Sequence, residues 1–220
     1  NMYGLKDNVA RKAGTMGKEE NKEMEFWTQE EFQAFLECVA DKPISYYAFE
    51  ILYWTGIREG ELLALTPGDF NFEKKTLRIN KSYQRLEGKD VITDPKTPKS
   101  NRTIVMPDFL TIEMEDFIKS IYGIKMDDRI FTISKSYLHH EMDRGAKLAG
   151  VKRIRIHGLR HSHISLLINL GFSALAIGER VGHEAVDITY HYAHLFPTVQ
   201  TDMAAQLETE REALVNVRKE

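Results

Sequence analysis

Arg58 in TGIREGEL, Lys96 in TDPKTPKSNRTI, His157 and Arg160 in HGLRHSHIS, His183 in RVGHE and Tyr192 in TYHYAHL are side chains whose types could do chemistry together. Arginine offers planar donors in a fixed fork that match phosphate oxygens and stay charged at any relevant pH. Two of them can offset the charge that grows on a pentavalent phosphorus. A lysine can give a proton to a departing alkoxide. Histidine can hydrogen-bond a phosphoryl oxygen or move a proton near neutral pH. A tyrosine hydroxyl with a pKa of about 10 is ionised to about one part in a thousand at pH 7, so it attacks only with help from cations or a base. Phosphoryl transfer to tyrosine, without a metal ion or other cofactor, is the reaction that suits this inventory.

Each residue also has an ordinary reading. Arg58 could cap a helix, and with Glu61 it could form a plain i,i+3 ion pair. Lys96 shares its loop with Lys99 and could be solvated. His157 and His161 are four apart, a metal-ligand spacing. Gly158, not Glu, follows His157, so the pairing used by zinc hydrolases is missing and no metal site is expected. His161 and His163 read as structural histidines, and His183 could be a cap after Gly182. Tyr190 and Tyr192 are two apart, hence on nearly opposite helix faces, so one cannot replace the other. Tyr190 reads as packing. Tyr46, Tyr47 and Tyr53 share a helix with Phe49, Ile51 and Leu52 and read as core.

The elements that must hold these groups follow from period and punctuation. Residues 1–25 are polar and without period, a linker or the tail of an upstream domain. Thr28 and Glu31 form a capping box ahead of the stripe Phe32, Phe35, Leu36 and Val39. Pro43 starts a second helix that Gly56 ends. REGELLAL is a short third helix. TLRINKSY, DVITD and RTIVM then read as three strands of one antiparallel sheet, with turns at Gly88 and at Pro95 to Asn101. Helical pattern returns at 108–122, 136–149, from His157 to Gly171, at 173–181, around 187–192, and from Pro197 onward. The expectation is an α+β fold, mostly helical, with a small three-stranded antiparallel insert.

Bulk properties exclude some classes. No run of about 18 apolar residues exists, so no membrane span is expected. The single Cys38 excludes a disulfide framework and fits a reducing cytoplasm. The net charge of −3 argues mildly against nucleic acid, but the charge is segregated. Lys74, Lys75, Arg78, Lys81, Arg85, Lys89, Lys96, Lys99 and Arg102 crowd one stretch. Arg144, Lys147, Lys152, Arg153, Arg155 and Arg160 crowd another that has no acid. Both contain candidate catalytic groups, which points to a polyanion-binding surface. Lys81, Lys99, Arg102, Arg153 and Arg155 are the residues expected to face a phosphate backbone.

The boxes TGIREGELLAL, PKT, HGLRHSHIS, RVGHE and TYHYAHL, with nine residues from His183 to Tyr192, resemble those of the tyrosine recombinases, the integrase family of phages and integrative elements. The resemblance covers 26–195. It implies the breaking-and-rejoining fold for 26–196, a site-specific recombinase without metal or ATP, and a 3′-phosphotyrosyl intermediate on Tyr192. Arg58 and Arg160 would clamp the scissile phosphate and His157 would assist proton removal. Lys96 would protonate the 5′ oxygen, and His183 would bind a non-bridging oxygen or Tyr192 itself. Glu61 would support the geometry.

The implied partner is double-stranded DNA at attachment sites, bound by a homo-tetramer, with accessory directionality or bending proteins and no membrane. The implied location is the cytoplasm, on the bacterial nucleoid. The stripe Val199, Met203, Leu207, Leu214 and Val217 would make 197–220 a helix exchanged between subunits, or one that packs on its own domain. A type IB topoisomerase would share the chemistry, and a metal-dependent hydrolase through His157, His161 and His183 is the more distant rival.

Overall fold

Helix α1, Gln29–Val39, starts at a closed capping box: Thr28 Oγ1 accepts from the Glu31 backbone, and the Glu31 carboxylate accepts from the Thr28 backbone. It belongs to a computed structural model that describes residues 25–94, 100–183, 187, 192, 195, 204, 207–209 and 211. Helix α2, Pro43–Thr55, carries Pro at its first turn and ends at Gly56 with φ of 66°. Helix α3 is one turn, Glu59–Leu62. Helices α4 (Asp108–Ser120), α5 (Lys135–Ala149), α6 (Ile156–Asn169) and α7 (Ala174–Val181) follow the strands. The long elements agree with the sequence reading to within two residues.

The strands differ in detail. β1 (Phe70–Asn71), β2 (Thr76–Ile79) and β5 (Arg102–Val105) form the three-stranded antiparallel sheet, in the order β1-β2-β5. β3 (Ser82–Leu86) and β4 (Lys89–Thr93) form a separate hairpin. Thr76–Tyr83 is therefore not one strand, and the segment DVITD does not join the main sheet. The reason is the length of the partner. β5 begins at Arg102, opposite Ile79, so among the described residues no partner continues the ladder past Ile79. Lys81 then turns inward, where its ammonium reaches Asp69 and Thr66 Oγ1. Glu87 and Gly88, both at positive φ, close the hairpin as a type I′ turn requires.

The core lies between α1, α2, α4, α5 and α6. Phe32 stacks on Tyr53 with centroids 3.8 Å apart, and Phe35 meets Phe49 edge-on at 4.8 Å. Two contacts fix α6, the helix that carries the HGLRHSH motif. Trp27, 1% exposed, donates its backbone N–H to Ser162 Oγ at 2.8 Å and its Nε1–H to the Lys152 carbonyl at 2.7 Å. The Glu25 carbonyl oxygen lies 2.9 Å from where a Cβ on Gly158 would stand. The entering chain is thus laid across the first turn of α6, and only glycine lets it approach so closely.

Below the site, His163 is buried and accepts from Arg180 Nε at 3.0 Å through its Nε2, which places its proton on Nδ1. A Cβ on Gly56 would stand 2.6 Å from His163 Cδ2, so this glycine serves both the helix end and the contact between α2 and α6.

Residues 1–24, and Val199, Met203, Leu214 and Val217 of the apolar stripe, lie outside the described residues. Ala204, 207–209 and Arg211 are helical and exposed, and Leu207 is 71% exposed. Among the described residues, no helix is long and apolar enough to cross a membrane, and no three metal-ligating side chains cluster.

Two stability predictions follow from these contacts. Trp27→Ala is expected to cost about 3–5 kcal/mol, from the lost ring and the orphaned Lys152 carbonyl, measured by denaturant unfolding. His163 supplies an acid-sensitive contribution. Burial, and then the charges of Arg180 and Arg160, push its pKa from 6.5 to about 3. Between those values the unfolded chain binds more protons on His163 than the folded chain, so stability falls as pH drops through that window, by up to about 1.4 kcal/mol per unit. Glu50, pushed by burial up to about 8, acts oppositely and loses stability as pH rises from 4.5. His163→Asn should flatten the acid limb and leave the Glu50 limb in place.

Candidate active site

The last turn of a helix leaves carbonyls without intrahelical donors. Helix α7 ends at Gly182, φ 73°, with Gly182 and His183 both donating to the Gly178 carbonyl. The three carbonyls that follow Glu179 are each met by a different arginine. Arg102 Nε donates to the Arg180 oxygen at 2.9 Å. Arg160 donates to the Val181 oxygen at 2.6 Å. Arg58 donates to the Gly182 oxygen at a longer 3.4 Å. Arg160 also donates to the Gly56 oxygen at 2.6 Å, at the end of α2. The ends of α2 and α7 are thus joined through guanidinium groups.

Arg58 is the N-cap residue of α3. Its backbone N–H donates to Glu61 Oε2 at 2.9 Å and its side chain to Glu61 Oε1 at 2.8 Å. Glu61 is buried and takes two further bonds from Arg102, at 3.2 and 2.9 Å. Burial alone would raise its pKa, but the hydrogen bonds and charges of Arg102 and Arg58 hold it below the usual carboxylate value. Arg102 is itself buried. It was expected to face a phosphate backbone, and it does not: its donors are taken by Glu61, Ser100 and Arg180. Lys81 is likewise held, by Asp69. Arg144, in the second basic stretch, is occupied by Glu141 and Asp41.

Arg160 is 1% exposed, and its Nε has no protein partner among the described residues. Burial, then the charges of Arg58 and Arg102, pull its pKa well below the usual arginine value. The guanidinium remains protonated at neutral pH. His183 is half-buried. Burial, then the charges of Arg160 and Arg58, lower its pKa to about 4, so it is neutral at pH 7. His157 is shifted the same way, by desolvation and by the two arginines. Burial comes first, and the charges of Arg160 and then Arg58 add to it. The described groups therefore carry three guanidiniums against one carboxylate, a centre short of an anion.

Tyr192 is buried at 3% exposure in a small apolar cluster with Ile164, Ile168, Ile177 and Val181, between α6 and α7. Its hydroxyl shares a hydrogen bond with His161 Nδ1, and the His161 ring meets His157 edge-on with centroids 4.8 Å apart. Burial raises the phenol pKa, and the Arg160 charge opposes that rise. His161 reads from sequence as structural, but it touches the tyrosine hydroxyl. Its place one turn after His157, on the same face, was the available signal. Arg102 as the partner of Glu61 had no such signal.

Arg58, Glu61, His157, Arg160, His183 and Tyr192 are thus gathered around the ends of α2 and α7 and the start of α6. Lys96, Lys99 and Tyr190 lie outside the described residues. Beside Arg58 and His157 opens a cleft of about 950 Å³. Strand β3 forms one wall and the start of α5 another. Its lining carries Arg58, Arg85, Lys135, Arg153 and Arg155 against the single carboxylate Glu59. Arg153 is exposed and paired with Asp143 at 2.6 Å, while Arg155 is exposed beside it.

The model of the Phage integrase family matches residues 25–198. The chain is 32% identical over 217 residues to the ICEBs1 integrase of Bacillus subtilis (strain 168), covering 92% of this chain and 58% of that protein. It is 27% identical to a XerC-like tyrosine recombinase of Caldanaerobacter subterraneus subsp. tengcongensis, covering 88% of this chain and 56% of that protein. The chain thus spans a little more than half the length of these relatives. Its fold matches the Tn1549 transposon integrase in complex with a circular intermediate DNA, with a TM-score of 0.69, 23% identity, and coverage of 87% of this chain and 67% of that one. With a family match over most of its length and a site built at the ends of α2, α6 and α7, the chain belongs to the phage integrase family.

Proposed function

We propose that this chain is the catalytic part of a site-specific DNA recombinase that integrates and excises a phage or integrative element. The observation that carries this reading is the anion-deficient centre: Arg58 and Arg160 beside a neutral His183, with a buried tyrosine hydroxyl one residue cluster away. A scissile phosphodiester supplies the missing negative charge. Its non-bridging oxygens take the guanidinium donors, and the charge that grows on them in the transition state strengthens those bonds.

The Tyr192 oxygen attacks phosphorus and the 5′ oxygen leaves. The hydroxyl proton has a first acceptor in His161 Nδ1, with His157 next to it. Lys96 delivers a proton to the 5′ oxygen. The 3′-phosphotyrosyl bond conserves the phosphodiester energy, and a 5′ hydroxyl of the partner strand reverses the step on a new strand. Neither ATP nor metal enters the balance.

The cleft beside Arg58, with Arg85, Lys135, Arg153 and Arg155, suits the duplex backbone. Synapsis as a homo-tetramer, help from directionality or bending proteins, and action on DNA in the bacterial cytoplasm complete the reading. Residues 1–25 serve as the link to a DNA-binding domain. Residues 197–220 serve as a helix exchanged between subunits, a role the exposed Leu207 supports.

Two experiments test this. Incubated with nicked suicide DNA carrying its site, in EDTA, the protein should form a covalent adduct. That adduct should be lost in Tyr192→Phe and kept in Tyr190→Phe. An adduct through Tyr190, or one abolished by chelator, sinks the proposal. Arg160→Lys keeps the charge but loses the fork that reaches both Gly56 and Val181. Adduct formation should slow by on the order of 1000-fold, measured as a single-turnover rate.

A further inference from the structure

Arg102 was grouped by sequence with surface cations, and the structure places it elsewhere. Its backbone is fixed by the sheet, opposite Ile79 at the end of the β2–β5 ladder. From there its side chain crosses to the helix ends. Nε takes the Arg180 oxygen, one terminal nitrogen takes the Ser100 oxygen at 3.0 Å and Glu61 Oε1, and the other takes Glu61 Oε2. Its side chain and that of Glu61 are each 6% exposed, while that of Arg58 is 35% exposed.

That contrast decides which arginine anchors the other. Arg58 is half-open, and its bond to Gly182 is long, so its direction depends on Glu61. Glu61 in turn is held by both arginines, and the buried guanidinium of Arg102 takes both of its oxygens.

We propose that Arg102 is a positioning residue of this site: it clamps Glu61 so that Glu61 aims Arg58 at the phosphate, and it ties that pair to the end of α7, one turn before His183. The inference rests on the strand-transfer reading above. Arg102 touches no reacting atom. Ser100, whose oxygen it holds, lies four residues after Lys96 in sequence. Lysine at this position keeps a charge but cannot reach Glu61, Ser100 and Arg180 together, because it presents one nitrogen instead of a planar fork.

The test uses the intact protein and nicked suicide DNA of its attachment region at saturating concentration. It reads the single-turnover rate of adduct formation and, separately, the DNA Kd. Arg102→Gln and Glu61→Gln should each slow adduct formation by on the order of 30-fold, with Kd changed by less than about 2-fold. In the double variant the losses should not multiply: it should be no more than about 2-fold slower than the slower single variant. Arg102→Lys should remain at least about 5-fold slow, and it carries the test if Arg102→Gln does not fold.

Wild-type rates in Arg102→Gln or Arg102→Lys, losses that multiply, or a loss of DNA affinity in place of rate would each overturn the assignment. Should the wild-type adduct form on a residue other than Tyr192, the strand-transfer reading itself falls. A Tyr192 adduct that is indifferent to Arg102 removes only the positioning role.

Discussion

Three successive carbonyls at the end of α7 need donors, and three arginines from three other elements supply them. The active-site geometry depends on this one arrangement. A helix end buried without donors is costly, and neutral donors would have satisfied these oxygens at less desolvation. Guanidiniums do it while leaving positive charge in place. The same bonds that close the α7 terminus against α2 hold Arg58 and Arg160 side by side, with His183 as the next residue of the chain.

That closure has an electrostatic consequence. Like charges are held together in a partly desolvated pocket, and Glu61 offsets only part of them. Burial first, and then neighbouring cations, lower the pKa values of Arg160 and His183. An anion placed among these groups would offset the repulsion between them. Tyr192 is treated the other way. It sits in a small apolar cluster, its phenol made less acidic by burial, with His161 on its hydroxyl. The phenol is thus neutral, with an imidazole nitrogen already on its hydroxyl.

Support for the site comes from two layers of packing that do no chemistry. His163 fills the space that a side chain on Gly56 would occupy and takes the Arg180 guanidinium. Trp27 and the Glu25 carbonyl lie across the first turn of α6. Both press on elements that carry site residues, so the rigidity of the centre comes from contacts well separated in sequence.

The ends of the long described helices were legible in the sequence by itself, because caps and apolar periods are local: Thr28 with Glu31, Pro43, Gly56 and Gly182 act within a few residues of themselves, whereas the short third helix stops at Leu62, ahead of the Leu65 expected. Residue types and boxes in order also singled out Arg58, His157, Arg160, His183 and Tyr192 as candidates, and the structure gathers them at the ends of α2 and α7 and the start of α6. Tertiary structure alone decided which cations face in and which face out. Arg102 and Lys81 look like Arg153 and Arg155 in sequence. The side chains of the first two are drawn inward onto Glu61 and Asp69, whereas Arg153, though paired with Asp143, and Arg155 stay exposed. It also decided the strand pairing, because β2 ends where its partner β5 begins. In each case the deciding group is another part of the chain whose position no local pattern encodes.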